Sequence, residues 1–322
     1  MGSHSPLVLA LDVGGTKTSV ALVRGMPTDG LVTLAPATRF ATPRDPGAFL
    51  DALEVAVDRM RPPGVRPEAV GIGVPGPLDA TAGVVVSSPN VGWYDVPIAA
   101  LVSERLGGVP VVIDDDANSG ALGEAIAGAG RGYDPFAYLP LGTGLGAGII
   151  VGGRIVGGAH GAAGEVGHMA VDERAGPRCA CGRRGCVEAW CAGAGLARRA
   201  REVWPTPRLA DGSRAPRDAA AVFALARKGD ADALALVARA RRALARGMAA
   251  ILAAVDPAAM TVGGSIGAAE PAFVRAAFGE ATRLVQKAAG TGVRLRRPGL
   301  GDASVLGGAA VLGARAAEGS TR

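Results

Sequence analysis

Two stretches about 130 residues apart follow one plan, and that repeat constrains the fold more than any other feature of the chain. Residues 7–23, LVLALDVGGTKTSVALV, read as an apolar strand, a Gly-Gly turn and a second apolar strand. Residues 138–151, YLPLGTGLGAGIIV, repeat the apolar run, now around a Gly-Thr-Gly turn. Aliphatic and β-branched runs bounded by glycine are strand and hairpin signals. Phe49, Leu50, Leu53, Val57 and Met60 recur at helical spacing and predict an amphipathic helix over 47–60, ended by Pro62-Pro63. Further helices are expected at 117–127, 218–228, 231–255 and 305–316, and short strands at 69–74, 109–113 and 260–262. The proline-containing stretch 204–217 reads as a loop. Strands alternating with helices predict an α/β fold built from two related halves. No low-complexity linker parts the halves, so they are expected to share a cleft.

Composition narrows the class. Of 322 residues 50 are glycine and 22 proline, below the ~25–30 % that marks disordered chains. No Gly-X-Y period runs through the chain, which excludes collagen. The hydrophobic fraction of 49 % is enough for a sizeable core, so the glycines must serve loops in a folded protein. The net charge of +5 is carried almost wholly by scattered arginines, and aromatics are few, with six Phe, three Trp and three Tyr. That argues against a stacking platform for nucleic acid and favours a small anionic ligand such as a nucleotide. No run approaches the ~18 apolar residues of a membrane span. The start, Met1-Gly2-Ser3-His4, lacks a basic region followed by an apolar run and reads as a cloning remnant. A cytoplasmic location is expected. Four cysteines in a reducing compartment point to metal binding rather than disulfides.

Two pattern matches fail on context. Gly71-x-Gly73-x-x-Gly76 fits a dinucleotide fingerprint, but Pro75 and Pro77 sit where a helix would have to begin. Gly263-x-Ser265-x-Gly267 fits a nucleophile elbow, but His4, His160 and His168 all precede Ser265, the wrong order for an α/β-hydrolase. The GxxxxGK[ST] phosphate loop is absent.

Four features carry chemistry. In Asp12-Val-Gly14-Gly15-Thr16-Lys17 the glycines let backbone N–H groups approach a phosphate, Thr16 and Lys17 add a hydroxyl and a cation, and Asp12 suits a hydrated Mg²⁺; a plain hairpin turn is the competing reading. Gly142-Thr143-Gly144 follows the same logic. In Asp114-Asp115-Asp116-Ala-Asn118, after the strand 109–113, like charges repel and raise at least one pKa or attract a cation. A carboxylate at a strand's carboxyl end is a natural general base, while a helix N-cap is the alternative. Cys179, Cys181 and Cys186 have the spacing of a structural zinc knuckle, with His168 or Cys191 as fourth ligand. Glu165 and Glu188 flank that knuckle, where fixed carboxylates suit a polyhydroxylated ligand.

Taken together these stretches resemble the ROK family of sugar kinases, its glucokinase branch most closely. The resemblance runs through DVGGTK (12–17), GIGVPGPLD (71–79), SPNVGW (88–93), DDDAN (114–118), LGTGLGAGI (141–149), HGAAGEVGH (160–168), CACGRRGCVE (179–188) and VDPAAMTVGG (255–264). It implies two actin-like, ribonuclease H-like lobes with a cleft between them. The smaller lobe is expected at 6–118, with helix 304–320 packed back on it, and the larger, carrying the zinc knuckle, at 119–303. It implies an ATP-dependent kinase acting on glucose 6-OH, with Asp116 as the base. The segment 12–17 and Gly142, Thr143 and Gly144 are then expected at the ATP phosphates and Mg²⁺, and Gly263 and Gly264 near the adenosine. Glu165, His168, Glu188, Asp115 and Gly76 are expected at the sugar. His168 joins the three cysteines on Zn²⁺ through its other ring nitrogen, ahead of Cys191.

Two positions depart from the family pattern. Asp115 stands where Asn is usual, and a carboxylate accepts hydrogen bonds but does not donate them unless protonated. This leaves room for another hexose, an aminosugar or a cyclitol. Cys191 stands where Ser is frequent. The family also holds repressors with an N-terminal winged helix; the 11 residues before Asp12 are too few for one. A non-catalytic sensor or a polyphosphate user is disfavoured by the intact loops and the knuckle. A homodimer or homotetramer is expected by analogy.

Overall fold

The structure is a computed structural model. It describes residues 6–24, 32–33, 37–62, 64–209 and 211–319; Met1 to His4, Pro63 and Ser320, on which sequence expectations fell, lie outside them. In chain order the strands and helices begin with β1 (Leu7–Val13), β2 (Lys17–Arg24), β3 (Val32–Thr33), β4 (Thr38–Ala41), α1 (Pro46–Met60), β5 (Ala69–Gly73), β6 (Leu78–Asp79), β7 (Val84–Ser88) and β8 (Trp93–Val96). There follow α2 (Ile98–Arg105), β9 (Val111–Asp114), α3 (Asp116–Ala127), β10 (Phe136–Pro140), β11 (Gly148–Val151), β12 (Arg154–Ile155), α4 (Val187–Cys191), α5 (Gly193–Val203), α6 (Ala219–Arg227) and α7 (Ala231–Val255). The chain closes with β13 (Ala259–Gly263), α8 (Gly264–Ala269), α9 (Pro271–Leu284), α10 (Lys287–Gly290), β14 (Arg294–Arg296) and α11 (Ser304–Ala317). This is a mixed α/β protein with several sheets, as the alternating pattern predicts. None of the described helices is long and apolar enough to cross a membrane.

The chain divides into two compact units. One comprises residues 1–138, 148–163 and 298–322, the other 139–147 and 164–297. In the first unit, β1 pairs antiparallel with β2 and parallel with β5, and β5 pairs parallel with β9. The two carboxyl ends that matter meet here, because Asp12 of β1 stands opposite Gly73 of β5, and Gly73 opposite Asp114 of β9. Leu9, Leu11, Val20, Leu22 and Ile72 from these strands form the core with Phe49 and Leu53 of α1. Helix α1 starts at Pro46, one residue before the expected 47, because Pro46 suits the first turn and Asp45 caps it by accepting from the Ala48 N–H at 2.8 Å. Phe49 meets Trp93 edge to face at 4.9 Å. Helix α11 lies so close to β5 that a Cβ at Gly71 would stand 1.8 Å from the Ala309 carbonyl oxygen. Glycine there is a packing requirement, since any side chain would push helix and sheet apart.

In the second unit α7 is the central helix. Asp230 caps it by accepting from the Ala233 N–H at 2.9 Å, and Leu236, Leu244, Met248 and Leu252 are buried along one stripe. Phe223 of α6 packs edge to face on Phe273 of α9 at 5.1 Å. Strand β13 pairs parallel with β14, and Gly263 at its end accepts from the Leu141 N–H at 2.9 Å. Among the described residues of 204–217 none lies in a strand or helix, in keeping with its prolines.

Candidate active site

Residues from the sequence-predicted site fall into both units. In the first unit, Gly14, Gly15 and Thr16 form the turn between β1 and β2, closed by the Gly14 N–H donating to the Lys17 carbonyl at 3.0 Å. The backbone of Asn90 lies against that turn, with its carbonyl 2.8 Å from where a Gly15 Cβ would be. Lys17 and Thr16 are exposed. Gly76 follows β5 in a left-handed conformation, φ +121°, against the Ser87 carbonyl.

The three consecutive acids have three different positions. Asp114 is the last residue of β9 and is buried, unlike the expectation that the strand stops at Ile113. Its Oδ1 accepts from the Asp115 N–H at 2.8 Å and from Asn118 Nδ2 at 2.9 Å. Asp115 is the N-cap of α3, and its Oδ1 accepts from the Ala117 N–H at 2.9 Å. Asp116 is the first residue of the helix, where the helix dipole favours a negative charge. The base and N-cap readings of this run are therefore compatible, because different residues fill the two positions. Burial, reinforced by the charge of Asp116, pushes the Asp12 carboxyl up to about 6. Lys17 and Arg39 oppose that rise, and Asp302 adds to it. A divalent cation would relieve this crowding of carboxylates, so the residues present fit Mg²⁺.

One first-unit residue escaped the sequence reading. Glu124 of α3 is fully buried and accepts four hydrogen bonds. They come from the N–H groups of Ala129 and Gly299 at 2.8 Å, of Leu300 at 2.9 Å, and from Ser304 Oγ at 2.7 Å. Three of its four partners lie 175 to 180 residues away, so no local signal points to the set.

In the second unit His168, Cys179, Cys181 and Cys186 come together with their ligand atoms all within 4.8 Å of one another. His168 Nδ1 is 3.5 Å from Cys179 Sγ, and Cys181 Sγ is 3.6 Å from Cys186 Sγ. A tetrahedral zinc with Zn–S near 2.3 Å has ligand–ligand edges of about 3.5–3.8 Å, so the donor set fits Zn²⁺. Cys191 is outside the cluster; it is buried, and burial followed by the charge of Glu188 pushes its thiol well above the usual range. With Nδ1 toward the sulfurs, the His168 Nε2 faces the other way, 3.7 Å from Glu165 Oε2. Three protein sulfurs and one imidazole leave no open position, which is the pattern of a structural ion.

The second glycine turn is held from two directions. Leu141 accepts from the N–H groups of Ile266 and Gly267 at 3.0 and 3.2 Å, which fixes Gly263 and Gly264 beside it. The Gly142 and Thr143 carbonyls accept from the N–H groups of Gly193 and Ala194 at 2.8 and 3.1 Å. Glu188 Oε2 accepts from the Leu145 N–H at 3.0 Å. A Cβ on Gly144 would stand 2.7 Å from that oxygen, so the approach depends on glycine.

Comparison with known proteins follows the same lines. A glucokinase of Streptomyces coelicolor is 36 % identical over 196 residues, which are 61 % of this chain and 59 % of that protein, so the match spans little more than half of the relative's length. Xylose repressors are among the relatives as well. A solved ROK hexokinase from Thermus thermophilus is 34 % identical and superposes with a TM-score of 0.81, covering 98 % of this chain and 100 % of its own. A ROK family glucokinase from Streptomyces griseus, solved with glucose and AMPPNP, is 32 % identical with a TM-score of 0.76, covering 95 % of this chain and 99 % of that one. The family pattern itself extends from residue 8 to residue 316, through both glycine turns, the acid run and the cysteine cluster alike, and on that extent the chain belongs to the ROK family.

Proposed function

We propose that this protein is an ATP-dependent sugar kinase that transfers the γ-phosphate to a hexose hydroxyl, with glucose 6-OH as the leading acceptor. The observation that carries the reading is the pair Asp12 and Asp116: β1, which carries Asp12, and β9, which leads into Asp116, both pair with β5, and the charge of Asp116 adds to the rise of the Asp12 carboxyl. Asp116 is the general base. Its position in the first turn of α3 favours the ionised form that accepts a proton from the attacking hydroxyl. Phosphoryl transfer needs positioning and charge neutralisation more than covalent chemistry. Thr16, Lys17 and the Gly15 N–H hold phosphate oxygens, with Gly14 closing the turn, and Gly142, Thr143 and Gly144 form the second phosphate turn. Gly263 and Gly264 adjoin the adenosine. Asp12 would hold Mg²⁺, which when bound neutralises charge on the phosphates.

Glu165, Glu188 and His168 Nε2 hold the sugar's other hydroxyls, with Asp115 and the Gly76 backbone. Zn²⁺ held by His168, Cys179, Cys181 and Cys186 would supply rigidity and no chemistry of its own. Asp115 favours a second reading of the substrate. A carboxylate offers only acceptors where the amide offers both, which suits an aminosugar or cyclitol presenting donors. The solved relative with glucose and AMPPNP supports the nucleotide and sugar classes.

The test is a coupled assay of ADP release with ATP and Mg²⁺ over glucose, mannose, fructose, aminosugars, N-acetylated sugars and cyclitols. Sugar-dependent ADP release supports the reading, and the preferred acceptor decides between its two forms. ATP stability in the presence of every acceptor overturns it.

A further inference from the structure

We infer that Glu188 is a positioning residue for the second glycine turn, tying the Cys/His cluster to the loop that holds nucleotide phosphates; the phosphate role of that loop rests on the kinase reading above. Glu188 directly follows Cys186 and Val187, in the first turn of α4. Its two oxygens face different partners. Oε2 accepts from the Leu145 N–H at 3.0 Å, and Oε1 lies 3.7 Å from Cys179 Sγ. The same chain segment continues into α5, whose first N–H groups, on Gly193 and Ala194, donate to the carbonyls of Gly142 and Thr143. Residues 186–194 therefore grip the turn 142–145 at three backbone groups, two carbonyls and one N–H.

The three bonds differ in kind. Those from Gly193 and Ala194 are backbone bonds that any sequence with this fold makes. The bond to Leu145 depends on one side chain, and it is charge-assisted and partly buried, the stronger class of hydrogen bond. Two residues make it possible. Gly144 leaves the space through which the carboxylate reaches Leu145. Cys186, drawn into the cluster, fixes where α4 begins. A loop that must present N–H groups to phosphate works only if it is already ordered before the ligand arrives. Loss of the Glu188 acceptor therefore loosens the turn even when no sugar is present, which a residue acting on the sugar alone does not do.

The experiment compares wild type, Glu188→Ala and Glu188→Gln, all metal-loaded and without sugar. The glutamine amide oxygen still accepts from Leu145, so E188Q is the conservative rescue. The first readout is hydrogen exchange at the Leu145 amide. The expected result is at least tenfold faster exchange in E188A and near wild-type protection in E188Q. The second readout is ADP–Mg²⁺ affinity by calorimetry, expected to weaken about tenfold in E188A. Unchanged exchange at Leu145 in E188A overturns the inference, as does unchanged ADP affinity alongside faster exchange. Faster exchange in both variants overturns the acceptor role as well. Failure of the wild type to bind ADP is the separate result that overturns the kinase reading, and the exchange data then still decide whether Glu188 holds the turn.

Discussion

The Asp115 carboxylate accepts a hydrogen bond from the Ala117 N–H at 2.9 Å, closing the first turn of α3 one residue before Asp116. Asp and Asn are nearly equal as N-caps. Asp115→Asn is therefore expected to leave stability within about 0.5 kcal/mol of wild type, read from urea denaturation. Its effect belongs in substrate choice, with kcat/KM for glucose rising relative to aminosugars and cyclitols. An unchanged ranking of acceptors would show that residue 115 is a cap only.

Asp116→Ala is expected to lower turnover by about 10²–10⁴, the usual contribution of a general base. Sugar affinity, followed by calorimetry without nucleotide, should stay measurable. Turnover near the wild-type rate in this variant would remove Asp116 from the mechanism.

Glu124 joins α3 to the segment leading into α11 by accepting from four donors. Glu124→Ala takes the acceptor from three part-buried N–H groups, while Ser304 Oγ keeps the Gly301 carbonyl, and the expected loss is about 3–5 kcal/mol. Glu124→Gln turns an amide NH₂ toward two of the same donors, and the expected loss is about 1–3 kcal/mol. Chemical denaturation of both variants checks the order, and a near-neutral E124A contradicts it.

Asp12 predicts a pH dependence of stability in the absence of metal and nucleotide. Its pKa is about 6 in the folded protein against 3.8 for the ordinary group, so between those values the folded state holds a proton that the unfolded chain releases. The raised value gives a contribution that is complete below pH ~4 and is lost as pH rises through ~6. Asp12→Asn removes that dependence. Between pH 4 and 7 the wild type should lose roughly 1–2 kcal/mol relative to D12N, after allowing for partial solvent screening. Parallel stability profiles for the two proteins would contradict the burial of this carboxylate.

Much of the fold was legible because its signals are local. The amphipathic spacing of Phe49, Leu50, Leu53 and Val57 marks α1. The apolar runs around Gly14-Gly15 and Gly142-Thr143-Gly144 mark the strands beside both turns. Helix α2, strand β14 and the hairpin of β7 with β8 were less legible, being short and having weak periodicity. The surplus of glycine, read from sequence as backbone cleared for ligands, has a second use. Gly71 admits α11 against the sheet, and Gly308 admits the carbonyl of Ser119 from α3.

By itself the sequence determined the chemistry available: the run of acids, the glycine turns, the three cysteines and the family pattern. Each is a set of residue types at short spacing, and short spacing fixes relative position through the backbone alone. Tertiary structure decided which of those groups act on one another. It split Asp114, Asp115 and Asp116 among a strand end, a cap and a helix start, and it grouped His168 rather than Cys191 with the three cysteines. It also set Glu188 on Leu145, 43 residues away, and Glu124 on Gly299, 175 away. Contacts at that separation follow from which faces pack together, and packing is a property of the whole chain.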